Sequence, residues 1–397
     1  MIRPALVALA LAMPAVAALP AVAQETRAET IAQAQAAKAT KLAPYEPGKA
    51  ERMAAAVKRQ FVESPDGFYP WFDSVYSGGG FTLGAGYRTF YGDRTFFDVR
   101  GLYSAKSYKL FELATQSLGL ANGRVALRAN GGYRDATQVA YYGVGGDTTP
   151  DGQSNYRMQQ SFIGGTLTSR GPAALLLEAS GSYEDFTLEE GTGTSPTIGA
   201  IYTSATAPGL NESPAFLHAT VTAGFDSRPS PGYARRGGLY ALSYETYLDS
   251  DDTYSFDTAK AEVVQHLPVL RENWVISLHG VARTTLDEND AVPYFLMPSL
   301  GSGSTLRAYP SWRFRDRHSL LVSGEWRWIP SRMLIDMAIF YDAGKVAGRR
   351  EDLNFRDLKH DWGVGFRIHT PMATPLRIDV ATGSEGVNVV FSGGAAF

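Results

Sequence analysis

From residue 73 onward, apolar and polar positions alternate with a period of two. That is strand geometry, because successive side chains of an extended chain point to opposite faces. In "SLLVSGEWRW", Leu320, Val322, Gly324, Trp326 and Trp328 share one face, while Leu321, Ser323, Glu325 and Arg327 share the other. "LIDMAIFYDAG" sets Ile335, Met337, Ile339 and Tyr341 opposite Asp336, Ala338, Phe340 and Asp342, and "PLRIDVA" sets Leu376, Ile378 and Val380 opposite Arg377 and Asp379. In each case the second face is ionic. No run in this region approaches the ~18 apolar residues of a membrane helix.

Alternation by itself fits a soluble sandwich as well as a transmembrane barrel, since only the placement of the apolar face differs. Three features select the barrel. Aromatics gather at strand ends, as in Tyr240, Tyr244 and Tyr247, Trp326 and Trp328, and Trp362, which suits an interfacial girdle. The strands run to about ten residues, enough for a tilted crossing. Connections alternate between brief turns (270–273, 331–333, 372–374) and longer loops (287–317, 347–360), the rhythm of short periplasmic turns and long outer loops.

The pattern predicts strands near 80–90, 93–104, 107–118, 123–136, 138–145, 157–170, 173–186, 214–227, 237–248, 255–268, 273–286, 318–330, 334–346, 360–371, 375–383 and 387–397. A further candidate at 294–301 is assigned to the long loop, which leaves the even number of strands expected of a bacterial single-chain barrel. The expectation is an all-β, 16-stranded antiparallel transmembrane β-barrel over residues 73–397.

Ahead of it, "MIRPALVALALAMPAVAALPAVAQ" combines Arg3, a short apolar run and Ala21-Val22-Ala23. This is the layout of a cleaved secretory signal over residues 1–23; an uncleaved anchor is disfavoured by Pro14 and Pro20. Residues 24–72 carry "AETIAQAQAAKATKLA" and "KAERMAAAVKRQFVE", good helix formers separated at Pro47 and Gly48. They predict a short periplasmic segment, helical or disordered, with no credible core of its own.

Composition removes several function classes. A net charge of −3 with 19% charged residues leaves no basic footprint for nucleic acid. The chain has no cysteine, so disulfides, thiol catalysis and thiolate metal sites are excluded. Its six histidines are scattered without HExxH-like spacing, and no metal is expected. No GxSxG occurs, and "GVGG" at Gly143–Gly146 lacks the Lys-Ser/Thr of a phosphate loop. The expectation is therefore a non-enzyme without cofactor.

One stretch stands apart: "GSGSTLRAYPSWRFRDRHSLLVSGEWRWIP", residues 301–330. Its "STLRAYPSWRFRD" resembles the inward-folded sixth loop of the outer-membrane insertase superfamily, the bacterial surface antigen family that includes BamA, TamA and the two-partner secretion transporters. "DSRPSPGYARRGGLYALSYETY", "AIFYDAGKV" and "DWGVGFRIHTPMATPLRIDVATG" resemble further strands and turns of that family in the same order. The resemblance is strong from about residue 214 onward and rests mainly on strand count before that.

The resemblance implies that Arg307 is the tip arginine of a loop tucked into the lumen, meeting Glu325 and Asp342. Ala308 and Tyr309 stand where the family motif Arg-Gly-aromatic continues, and alanine in place of glycine is a departure that alters the tip if that position requires positive φ. Arg313, Arg315 and Arg317 are expected to be solvated loop charges. It also implies a weak seam between first and last strands, for which Gly78, Gly79, Gly80, Gly393 and Gly394 are candidates; barrel-corner bends account for these glycines equally well. "VNVVFSGGAAF" resembles the aromatic-terminated last strand that the barrel assembly machinery reads, with Phe397 as that C-terminal signal. Lacking a POTRA pattern, residues 24–72 resemble a POTRA-less branch and could contact a periplasmic partner.

The implied setting is the bacterial outer membrane, with its lipid as a partner. Two functions follow: translocation or insertion of protein or lipid, or a passive or structural pore.

Overall fold

The structure, a computed structural model, describes residues 27–39, 66–71, 73–270, 273–287, 292–330, 334–370 and 373–397. The expected signal, residues 1–23, lies outside the described residues. Contacts divide the chain into two units, 1–56 and 57–397. In the first, helix α1 (Arg27–Ala39) carries Glu29 in its first turn and Lys38 in its last, each charge opposing the end of the helix dipole it faces. Its described side chains are exposed.

The second unit is built on one antiparallel sheet. Its first strands are β1 (Gly67–Trp71), β2 (Thr82–Gly92), β3 (Thr95–Ser104), β4 (Lys109–Gly119), β5 (Val125–Tyr141) and β6 (Ser154–Arg170). Then come β7 (Leu175–Glu190), β8 (Ala215–Asp226), β9 (Gly237–Asp249), β10 (Phe256–Leu270) and β11 (Trp274–Thr285). Two short strands follow, β12 (Ser299–Leu300) and β13 (Phe314–Arg315), which pair only with each other. The wall resumes with β14 (His318–Trp328), β15 (Ile335–Ala347), β16 (Lys359–Ile368), β17 (Leu376–Gly383) and β18 (Gly386–Ser392). The sheet thus has 16 strands, each hydrogen-bonded to its neighbour in sequence, with β11 adjoining β14.

Burial is inverted relative to a soluble protein. Along β14 the inward residues Leu321, Ser323, Glu325 and Arg327 are buried, while Trp326 on the other face is 53% exposed. On β15 Asp336 and Asp342 are buried and Ile339 is 57% exposed. Burying the charges and exposing the aliphatics is costly in water and favourable in lipid. The sheet is therefore a transmembrane β-barrel, whose inner wall is stitched by cross-strand ion pairs: Arg88 to Asp98 at 2.7 Å, Arg100 to Glu112 at 2.8 Å, and Arg157 to Asp135 at 2.9 Å. A barrel of this strand number leaves a wide lumen unless something fills it.

Three expectations change. The sheet begins at β1, inside the segment expected to precede the barrel. Tyr69 of β1 donates to Asp98 at 3.1 Å, and the Arg100 guanidinium lies 4.0 Å over the Trp71 ring. The predicted strands at 123–136 and 138–145 are one strand, β5, whose alternation is broken by a bulge between Ala136 and Val139. The strand total survives because these two differences cancel. Thirdly, Gly78, Gly79 and Gly80 lie in the connection before β2, and Gly78 and Gly80 take φ of 87° and 76°, so they make a turn and pair with no closing strand. Gly393 and Gly394 lie beyond the end of β18.

Connections between odd-numbered and following even-numbered wall strands include 142–153, 191–214, 286–317 and 348–358, whereas 93–94, 120–124, 171–174 and 271–273 lie at the opposite end. The barrel accordingly has a long-loop end and a short-turn end.

Candidate functional site

Residues 292–317 of the connection between β11 and β14 fold into the barrel and carry β12 and β13. Arg307 at its tip is 2% exposed. Its Nε and Nη2 donate to the two carboxylate oxygens of Asp342, at 2.7 and 2.8 Å, and its Nη1 donates to Glu325 at 2.6 Å. Asp379 lies 3.5 Å from the same Nη1, and the guanidinium sits 3.5 Å over the Phe340 ring. Strand alternation places these partners: Glu325 points inward from β14, Phe340 and Asp342 from β15, Asp379 from β17. Burial alone would lower the Arg307 pKa; hydrogen bonding to Asp342 and the charges of Glu325, Asp342 and Asp379 outweigh it and raise it. The arginine is therefore charged at every relevant pH.

The cluster extends beyond the residues picked from the sequence. Arg367 of β16 donates to Glu325 at 2.6 Å, and Arg377 of β17 lies 3.0 Å from Asp379. Asp361 accepts from the Ala308 N–H at 3.1 Å, and Asn388 of β18 donates to the Arg307 carbonyl at 2.9 Å. Thus backbone as well as side chain is held at the tip. Asp361 and Arg367 were legible as inward positions of "DWGVGFRI", opposite Trp362, Val364, Phe366 and Ile368, but nothing in their local pattern linked them to Arg307.

Ala308 does not adopt the left-handed conformation that would call for glycine; in this loop Gly301 (φ 100°) and Trp312 (φ 65°) do. Its methyl group packs where a side chain on Gly383 would come within 3.1 Å, so the small residue needed at this contact is on β17. Tyr309 is buried, and its hydroxyl lies 2.9 Å from Ser384 Oγ. The loop, Arg307, Ala308, Tyr309, Glu325 and Asp342 are brought together; Gly78–Gly80 and Gly393–Gly394 are not part of this cluster.

Arg313 and Arg315 are not the solvated charges expected: both are buried. Arg313 donates to Glu385 at 2.9 Å and to the Thr148 hydroxyl at 2.7 Å, tying the loop to the β17–β18 turn and to loop 142–153. Arg315 donates to the Tyr294 carbonyl at 2.6 Å, and its own carbonyl accepts from Gly145 N–H at 2.8 Å. Around them an aromatic cluster packs at the long-loop end. Tyr294 packs edge-on to Tyr141 and Tyr156, at 5.1 and 4.9 Å, and Phe295 lies 5.1 Å from Phe186. Burial raises the Tyr294 hydroxyl pKa well above its ordinary value, so the hydroxyl is uncharged there.

The short-turn end is occupied too. Tyr233, from connection 227–236, is buried against His369 with ring centroids 3.9 Å apart and donates to Asp336 at 3.1 Å. Phe397 is not the end of a ladder strand: β18 stops at Ser392, and the residues after it turn into the lumen, where the Phe397 ring stacks on His279.

Neither a protein-family model nor a curated protein matches the sequence. Among solved structures, the chain is similar to BamA from Haemophilus ducreyi lacking POTRA domains 1–3, with 14% identity over 82% of this chain and 69% of that one, at a TM-score of 0.58. It also aligns with CdiB from Acinetobacter baumannii, with 10% identity over 79% and 56% of the two chains and a TM-score of 0.49. Wzi, an outer-membrane protein from Escherichia coli, aligns with 12% identity over 90% and 88%, at a TM-score of 0.33. The likeness to BamA is one of fold.

Proposed function

We propose that the chain is a BamA-like barrel of the bacterial outer membrane that acts in translocation or insertion of protein or lipid, with its lumen loop locked by Arg307. The observation that carries this reading is the ion cluster at the loop tip. A passive pore of this strand number works by an open aqueous lumen, whereas here loop 286–317 crosses it and is bonded to β14, β15 and β17. Bidentate, charge-assisted bonds in a poorly hydrated site are the strongest available to an arginine. A lock of that strength on a lumen-filling loop suits a machine that holds a closed state and opens on demand. It is more than a static channel requires.

The exposed apolar belt, including Ile339, Tyr341, Val364 and Trp362, is the surface for outer-membrane lipid. In this reading the short-turn end faces the periplasm, the part of residues 24–72 ahead of β1 is proposed to meet a periplasmic partner, and the barrel assembly machinery is the expected partner in biogenesis. Ion pairing within the barrel accounts for the buried carboxylates structurally, so no enzyme role is proposed.

The test is reconstitution of the purified chain into liposomes, followed by two assays: the folding rate of an added small outer-membrane barrel, and the flipping rate of a fluorescent lipid. Acceleration of either supports the proposal. Acceleration of neither, with steady ion flux through the same vesicles, makes the chain a passive pore.

A further inference from the structure

Residues 393–397 leave the sheet at a defined point. Gly394 takes φ of 85° and donates its N–H to the Thr374 carbonyl at 2.8 Å, which turns the chain off the line of β18. The segment then reaches residues on strands well removed from β18 in the sheet order. The Phe397 ring lies nearly parallel to the His279 imidazole of β11, centroids 4.9 Å and planes 19° apart, and to that of His266 on β10, 6.3 Å and 8°.

Both imidazoles are held independently of Phe397. His266 Nδ1 lies 2.8 Å from the Ser277 hydroxyl, and His279 Nε2 lies 3.2 Å from Glu262. The second nitrogens, His266 Nε2 and His279 Nδ1, are buried without a hydrogen-bond partner. A platform of two braced rings presents flat faces, and an aromatic ring is the group that stacks on them. With Phe397 in place, the space left among Tyr233, Arg327, Arg367 and residues 395–397 is about 10 Å³, about the room of one water molecule.

The occupant's described contacts are the Gly394 N–H bond and the stacked Phe397 ring. Gly393, Gly394, Ala395 and Ala396 offer almost no side chain to grip the wall. Phe397 itself is only partly buried.

From this we infer that the His266–His279 platform is a lumenal binding site for an aromatic side chain carried on a small-residue segment. Phe397 fills it in cis, and residues 393–397 thereby form an exchangeable closure of the short-turn mouth. The site does not depend on what the barrel carries, so it can fail or stand apart from the function proposed above.

Because the chain has no cysteine, a single Ala396→Cys reports the segment without background. The experiment follows the rate of maleimide labelling of the full chain in detergent, with retained heat-modifiable gel mobility as the check on folding. The site predicts that His279→Ala speeds labelling at least tenfold. It also predicts that excess free peptide Gly-Gly-Ala-Ala-Phe speeds labelling of the chain with both histidines intact, while Gly-Gly-Ala-Ala-Ala does not. A labelling rate indifferent to His279→Ala, or two peptides with the same effect, would overturn the proposal. The peptide comparison uses the unaltered platform, so it stands even where the histidine variant folds poorly.

Discussion

Replacing Arg307 by alanine removes the one cation that contacts Asp342 among the described residues. Glu325 keeps Arg367 at 2.6 Å and Asp379 keeps Arg377 at 3.0 Å, but Asp342 is fully buried and sits opposite Asp361 in the β15–β16 ladder. Removing one partner of a buried ion pair costs about 3–5 kcal/mol, because the other charge is left uncompensated. At about 1.4 kcal/mol per tenfold, the docked state of loop 286–317 should lose roughly two to three and a half powers of ten relative to the undocked one. Water can then reach the cluster and relieve part of the cost, so the loop should release before the barrel unfolds. The assay is heat-modifiable gel mobility across a temperature series, with limited proteolysis of the loop in the folded barrel. Arg307→Ala should lower the transition temperature and expose the loop. Arg307→Ala with Asp342→Asn should recover part of the loss, since the orphaned charge has gone. Arg307→Lys should fall between, because an ammonium cannot make the forked contact. Equal behaviour of parent, Arg307→Ala and Arg307→Lys would refute the reasoning.

Four further substitutions follow from close contacts. Ala308→Gly should shift the transition by less than the equivalent of about 1 kcal/mol, the usual backbone cost of glycine, while Gly383→Ala should loosen the loop because the new methyl group meets Ala308 at 3.1 Å and Tyr309 at 3.3 Å; combining the two should restore protease resistance. Tyr294→Ala removes a ring packed on Tyr141 and Tyr156 and should admit ions at the long-loop end, read as raised bilayer conductance. Gly86→Val should detach β1, since a Cβ there comes within 2.4 Å of the Tyr69 ring; increased protease cleavage ahead of Thr82 would show it, and unchanged cleavage would contradict the tight pairing.

Faces were legible in the sequence wherever alternation ran unbroken. Glu325, Asp342 and Asp379 could be assigned inward because a strand in a barrel wall has only two faces and one was apolar. Errors fell where local geometry breaks the period. The β5 bulge near Thr137 and Gln138 looks in sequence like a turn. β1 does not read as a strand because Pro70 interrupts its aromatic run, and a proline is tolerated only in a strand with a free N–H side, as at an edge or bulge. Gly78–Gly80 look like a flexible strand start, but positive φ at Gly78 and Gly80 makes the stretch a turn. Arg313 and Arg315 read as solvated for a different reason: their partners Thr148, Glu385 and Tyr294 are distant in sequence, and only the folded lumen brings them together. The same holds for Phe397, whose platform is formed by histidines on two other strands.

The most direct test of a lumen held shut by an arginine-locked loop is single-channel conductance of the purified barrel in planar bilayers. The parent should be closed, with brief small openings, and Arg307→Ala should show frequent or sustained openings. A large, steady conductance in the parent, unchanged by Arg307→Ala, would contradict the account.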